Sequence, residues 1–156
     1  MIKIYCDGAT ANNGMINARG GYGVVLVHND EEHHVYGRVS GDVTNQICEI
    51  WAAIVSINTA LANFSKELKE DRRIEVYSDS AYVVNCINDQ WYKKWQVNGW
   101  KNSQRQPVAN QPLWEKLINL LPYADLTFIK VKGHTGNIYN EKADELARAG
   151  AQMEEA

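Results

Sequence analysis

The sequence predicts an α/β fold: a five-stranded mixed sheet, three antiparallel strands and then parallel ones, flanked by helices in the order βββαβαααβα. Short β-rich runs broken by glycine and polar turns fill the first forty residues. A helical period then appears, with Ile47, Ile50, Ile54, Ile57 and Leu61 recurring every three or four residues. The later β-rich runs are separated by helical stretches, which makes them parallel neighbours joined by right-handed crossovers.

Each element has its own signature. Ile2 to Cys6 alternates and ends at Asp7-Gly8; a polar loop from Ala9 to Arg19 follows. Gly21-Tyr22-Gly23 opens a second strand over Val24 to Val27, and His33 to Ser40 forms a third, completing a meander. Thr44 begins the first helix. Ile74 to Ser78 is the fourth strand, ending at Asp79, and Ser80 caps a helix over Ala81 to Ile87. Trp91 to Val97 reads as a short helix. Asn110 to Leu121 is another, with Pro112 in its first turn and Pro122 just past its end. Leu126 to Val131 is the fifth strand, Gly133 to Gly136 a turn, and Asn140 caps a last helix from Glu141 to about Ala151.

The 156 residues are 45% hydrophobic and 22% charged, enough for one core without staples. The longest apolar run, Ile50 to Val55, is far below the ~18 residues of a membrane span. Met1 runs straight into the first strand, with no basic segment followed by an apolar one, so no signal peptide is read. Membrane, collagen-like, disordered and secreted classes are excluded. Cys6, Cys48 and Cys86 are odd in number and widely spaced, which points to a reducing cytoplasmic setting rather than a disulfide framework. No repeat or linker divides the chain, so residues 1–156 are expected to form a single domain.

The net charge of −3 hides an asymmetry. Gln90 to Trp114 holds Lys93, Lys94, Lys101 and Arg105 and no acid, while all 19 acidic residues lie outside it. This stretch, about residues 90–110, suits a protruding arm that meets a polyanion, or an ordinary solvated surface.

Four acids stand out by placement. Asp7 and Asp79 end predicted strands, where open α/β sheets put their ligands. Asp144 lies early in the last helix. Glu49 is one carboxylate inside the apolar stretch Ile47 to Ile54, where a charge needs a partner or a metal. If all four converge, like charges demand a cation; oxygen-only ligands select Mg²⁺ first and Mn²⁺ second. Four carboxylates around two such ions suit in-line displacement at phosphorus.

Asp7-Gly8, Thr44-Asn45-x-x-x-Glu49, Tyr77-Ser78-Asp79-Ser80, Trp91…Trp95…Gly99-Trp100-Lys101, Val131-Lys132-Gly133-His134 and Asn140-Glu141-x-x-Asp144-Glu145-Leu146-Ala147 occur in one order along the chain. With these motifs the sequence resembles a type 1 ribonuclease H of the bacterial kind over nearly its whole length. The resemblance implies a metal site of Asp7, Glu49, Asp79 and Asp144, with His134 assisting near the scissile phosphate. It also implies Mg²⁺-dependent endonucleolytic hydrolysis of RNA paired with DNA, leaving 3′-hydroxyl and 5′-phosphate ends. Thr44, Asn45, Gln46, Asn12 and Asn13 are the expected contacts to the hybrid near the metals, and Trp91, Lys93, Lys94, Trp95, Trp100 and Lys101 those of the arm. The three arm indoles serve equally well as the arm's own core. His28, His33 and His34, at a hairpin tip, are assigned to solvent. The enzyme is expected to act as a monomer, without a membrane or a small-molecule cofactor. Met1 directly before the first strand favours an independent protein over a domain cut from a reverse transcriptase.

The chain departs from the family pattern in places. The loop after Asp7 is about three residues longer and lacks a Gly-Asn-Pro-Gly run. Gln46 stands where a second asparagine is usual, Ala81 where a glutamine is usual, and Gln96-Val97-Asn98 where lysine and arginine are common.

Overall fold

The computed structural model describes residues 1–132 and 137–154. Its strands are β1 (Ile2–Ala11), β2 (Arg19–His28), β3 (Glu31–Val39), β4 (Arg73–Ser78) and β5 (Asp125–Lys130). They form one sheet in the order β3-β2-β1-β4-β5. β1–β2 and β2–β3 are antiparallel, and β1–β4 and β4–β5 are parallel. The helices are α1 (Asn45–Asn63), α2 (Ser65–Glu70), α3 (Ala81–Asn88), α4 (Trp91–Asn98), α5 (Gln111–Leu120) and α6 (Ile138–Ala151), with a 3₁₀ turn at Leu121–Tyr123. The mixed five-stranded sheet flanked by helices is the predicted architecture. The short α2 is an addition, because Ser65–Glu70 carries too little apolar pattern to announce a helix.

α1 lies across one sheet face and buries Ile50, Ile54 and Ile57 together with Ala52, Ala53 and Ala60. These meet Ile2, Ile4, Val24, Leu26, Ile74 and Val76 from the strands, with Trp114 and Leu117 of α5 in the same core. The smallness of the alanines explains why two sides of α1 can be buried without overcrowding.

α6 covers the other face by close approach. Ala143, Ala147 and Ala151 recur every four residues and are all buried. A Cβ on Gly23 would strike the Ala143 carbonyl, so glycine in β2 and alanine in α6 set the separation. The cap of this helix differs from the prediction. Asn137, not Asn140, is the N-cap: its Oδ1 accepts from the amides of Tyr139 at 3.1 Å and Asn140 at 3.0 Å. Asn140 sits inside the first turn, 4% exposed. Both asparagines offer cap chemistry, and the burial of the Asn140 side chain settles the register.

β1 is longer than the sequence suggests. Its antiparallel pairing with β2 continues to Ala11, while its parallel pairing with β4 ends at Tyr5. Asp7 is therefore mid-strand towards β2 but lies just beyond the last paired residue towards β4. The opening this leaves at the carboxyl ends of β1 and β4 is where the acidic residues gather.

Candidate active site

Asp7 enters the site from β1 and is 4% exposed. Asp79 follows the last residue of β4. It is held between Ser78, whose Oγ accepts from the Ser80 amide at 3.1 Å, and Ser80, which caps α3 by accepting from the Val83 amide at 3.2 Å. Glu49 comes from the second turn of α1, whose start is fixed by Thr44 Oγ1 accepting from the Ile47 amide. Oxygens of Asp7, Glu49 and Asp79 lie within 4.8 Å of one another.

Gly8 ties two of them together. Its amide donates to Asp7 Oδ1 and to Glu49 Oε1, both at 2.9 Å. A side chain at Gly8 would run into the backbone of Cys48 and Glu49, the built Cβ coming 2.6 Å from the Glu49 nitrogen. The close approach of β1 and α1, and hence the shared amide, requires glycine here. From sequence alone Asp7-Gly8 is a strand end, and the one local sign of this donor is a glycine directly after an acid.

Burial and like charge make the cluster unfavourable as it stands. Burial, followed by the Glu49 charge and then those of Asp79 and Asp144, pushes the Asp7 carboxyl far above the ordinary carboxylate range. Glu49 is also raised, mainly by burial and then by Asp79 and Asp144, against the lowering effect of its hydrogen bonds with Asp7 and Gly8. Glu49 Oε2 is buried and receives no hydrogen bond among the described residues. A buried carboxylate oxygen without a donor, beside two further carboxylates, fits a cation-binding role. The donor set is oxygen only, which suits a hard divalent ion.

Asp144 stands apart from this trio. It is near enough to raise Asp7 and Glu49, yet its Oδ2 is paired with Arg148 Nη2 at 3.1 Å, one turn along α6. The structure thus brings three of the four predicted carboxylates into a single cluster and sets the fourth at its border. Arg148 was not singled out in the sequence, although the four-residue spacing from Asp144 was a readable signal. His134 lies outside the described residues.

The remaining predicted residues fall into two groups. Thr44, Asn45 and Gln46 are exposed at the start of α1, and Asn12 and Asn13 are exposed in the loop after β1. In the arm, Lys93, Lys94 and Lys101 are exposed, whereas Trp91, Trp95 and Trp100 are half-buried. These indoles form a chain onto the core: Trp91–Trp95 at 6.3 Å, Trp95–Trp100 at 5.7 Å and Trp95–Trp114 at 5.9 Å between ring centroids. The rings pack, and Trp91 and Trp95 also line, with Lys94 and Lys101, a groove of about 330 Å³. Of the hairpin histidines, His33 and His34 are exposed, while the His28 and His33 rings meet Phe64 edge-on.

A five-stranded β3-β2-β1-β4-β5 sheet with carboxylates gathered at the ends of its central strands defines a nuclease of the ribonuclease H class. The chain belongs to the RNase H family, whose model matches residues 1–152. It is 43% identical over 146 residues to a ribonuclease H of Clostridium botulinum (strain Hall), covering 94% of this chain and 92% of that protein. A ribonuclease H of Chlorobaculum parvum is 41% identical over 147 residues, covering 94% and 92%. In fold, the chain is similar to the foamy viral protease-reverse transcriptase solved with an RNA/DNA hybrid. That match has a TM-score of 0.80 at 21% identity, over 97% of this chain and 20% of the viral one.

Proposed function

We propose that this chain is an endoribonuclease that hydrolyses the RNA strand of RNA–DNA hybrids, leaving 5′-phosphate and 3′-hydroxyl ends. Asp7, Glu49, Asp79 and Asp144 are its ligands for two Mg²⁺ ions, with Mn²⁺ as a substitute. The observation that carries this reading is the convergence of three buried or half-buried carboxylates around a Glu49 oxygen that no donor reaches among the described residues. Divalent ions bound there would neutralise the cluster, polarise the scissile phosphate and lower the pKa of water for attack at phosphorus.

The chain's own residues do the rest. The Gly8 amide fixes one oxygen each of Asp7 and Glu49, which leaves the second oxygen of each for a cation. Asn45 is four residues before Glu49 on the exposed start of α1, placing an amide with donor and acceptor on the same helical face. That amide suits a 2′-hydroxyl, the group that separates RNA from DNA. Thr44 and Gln46, with Asn12 and Asn13 from the neighbouring loop, extend the polar surface, and the free amides at the helix start favour a phosphate. Lys93, Lys94 and Lys101 supply phosphate contacts from the arm, on a base held by Trp91, Trp95 and Trp100. His134, from its Gly-His motif, is assigned to proton transfer or product release. The enzyme is read as a cytoplasmic monomer; its three cysteines are free and buried, and burial raises all three thiols. No helix among the described residues is long and apolar enough to cross a membrane.

The test is one end-labelled RNA strand, annealed to DNA, annealed to RNA or left single, incubated with Mg²⁺ or EDTA. Internal cleavage of the hybrid alone, only with Mg²⁺, is expected. Cleavage of single-stranded or duplex RNA at equal rate, or cleavage that survives EDTA, would reject the reading.

A further inference from the structure

The fourth carboxylate sits in a different electrostatic setting from the other three. Asp7, Glu49 and Asp79 face one another with oxygens within 4.8 Å, whereas Asp144 Oδ2 is engaged by Arg148 Nη2 at 3.1 Å. The two are i, i+4 partners on α6, the spacing at which helix side chains meet. Arg148 also lines a pocket of about 240 Å³ with Ala9, Thr10 and Ala11, the stretch of β1 just beyond Asp7. Arg148 reaches the border of the acidic cluster through Asp144, and its own side chain is 66% exposed.

We infer that Arg148 is a positioning residue that occupies Asp144 and competes with a divalent ion for it, making the second of two metal-binding steps weak. This rests on the metal-centre reading above. A cation held by Asp7, Glu49 and Asp79 alone need not displace the Arg148 guanidinium. One that also needs Asp144 must share or displace Oδ2 from a fixed positive charge. Arg148 is exposed and Asp144 half-buried, so the pair adds little to the stability of the fold and loss of the guanidinium is tolerated. The two steps are therefore unequal, and the inequality resides in Arg148.

Mn²⁺ titration of the full chain without substrate, followed by calorimetry and by the paramagnetic resonance of free Mn²⁺, tests this. Wild type should bind one ion tightly and a second weakly. Arg148→Gln should tighten the weak step roughly three- to tenfold while the tight step changes less than about twofold. If wild type shows the tight step alone, the second should emerge in Arg148→Gln. Arg148→Lys, which keeps the charge, should stay near wild type. Asp144→Asn should lose the weak step, and adding Arg148→Gln to it should change nothing further. Without metal, Arg148→Gln should melt within about 2 °C of wild type. A weak step that is unchanged, weakened or still absent in Arg148→Gln would overturn the inference alone, provided Asp7→Asn abolishes the tight step. No Mn²⁺ binding by wild type, or binding unaltered by Asp7→Asn, would overturn the metal-centre reading and this inference with it.

Discussion

At the scale of single residues, Asp7 and Glu49, the proposed metal ligands, also bear on stability. Both carboxyls are raised in the folded chain, chiefly by burial. A raised carboxyl binds its proton more tightly folded than unfolded, so its contribution to stability is complete below the ordinary pKa of about 4 and is lost as pH rises through the folded value. The metal-free protein should therefore lose stability across the weakly acid to neutral range. Asp7→Asn should flatten that slope and raise metal-free stability near pH 8 by about 1–2 kcal/mol, one pKa unit being about 1.4 kcal/mol. Thermal melts of the two proteins in EDTA from pH 5 to 8 check the sign. The same variant should lose at least about a hundredfold in cleavage, the scale of a lost charge-stabilising group, while still binding hybrid. Mg²⁺ at ten times its dissociation constant should stabilise wild type by about 1.4 kcal/mol and leave Asp7→Asn unmoved.

At the scale of elements, what was legible follows from which signals are local. The period of α1 and the Ser80 cap of α3 are set by neighbouring residues, and both stand in the structure as read. The length of β1 was not readable, because Gly8 to Ala11 is strand only through its pairing with Arg19 to Tyr22 across the intervening loop, which no local pattern announces. The α6 cap was misplaced for a related reason. Asn137 and Asn140 are equivalent as local cap residues, and tertiary burial of Asn140 chooses between them. Asn137→Ala should cost about 1 kcal/mol, and Asn140→Ala should act through the loss of a buried polar group rather than a cap. Urea melts of the two variants, with helix-end amide exchange, distinguish these effects. The acidic site was legible as four residue types at suggestive places, but its geometry was not. Neither the bridging Gly8 amide nor the Arg148 partner of Asp144 follows from composition or motif alone.

At the scale of the whole molecule, a chain of net charge −3 combines an acidic body with the basic stretch from Gln90 to Trp114 that is proposed to meet the hybrid. Replacing Lys93 and Lys94 together by alanine should weaken hybrid binding and reduce the slope of log affinity against log salt by about two at most. Binding measured across a salt series gives that slope directly, and an unchanged one would return these lysines to solvent duty. Trp95, by contrast, touches Trp91, Trp100 and Trp114, so Trp95→Ala should act on the fold as well as the arm, costing about 2 kcal/mol, less than a fully buried ring would.

That ladder of indoles has an optical consequence. Four of the chain's five tryptophans stand in one contiguous series, and the fifth, Trp51 of α1, lies outside it under Lys116 of α5. Intrinsic emission and near-ultraviolet dichroism of this chain will therefore report chiefly on the series that ties the protrusion to α5, not on the sheet. Denaturation followed by fluorescence and by far-ultraviolet dichroism should yield coincident curves only if the protrusion and the sheet unfold together.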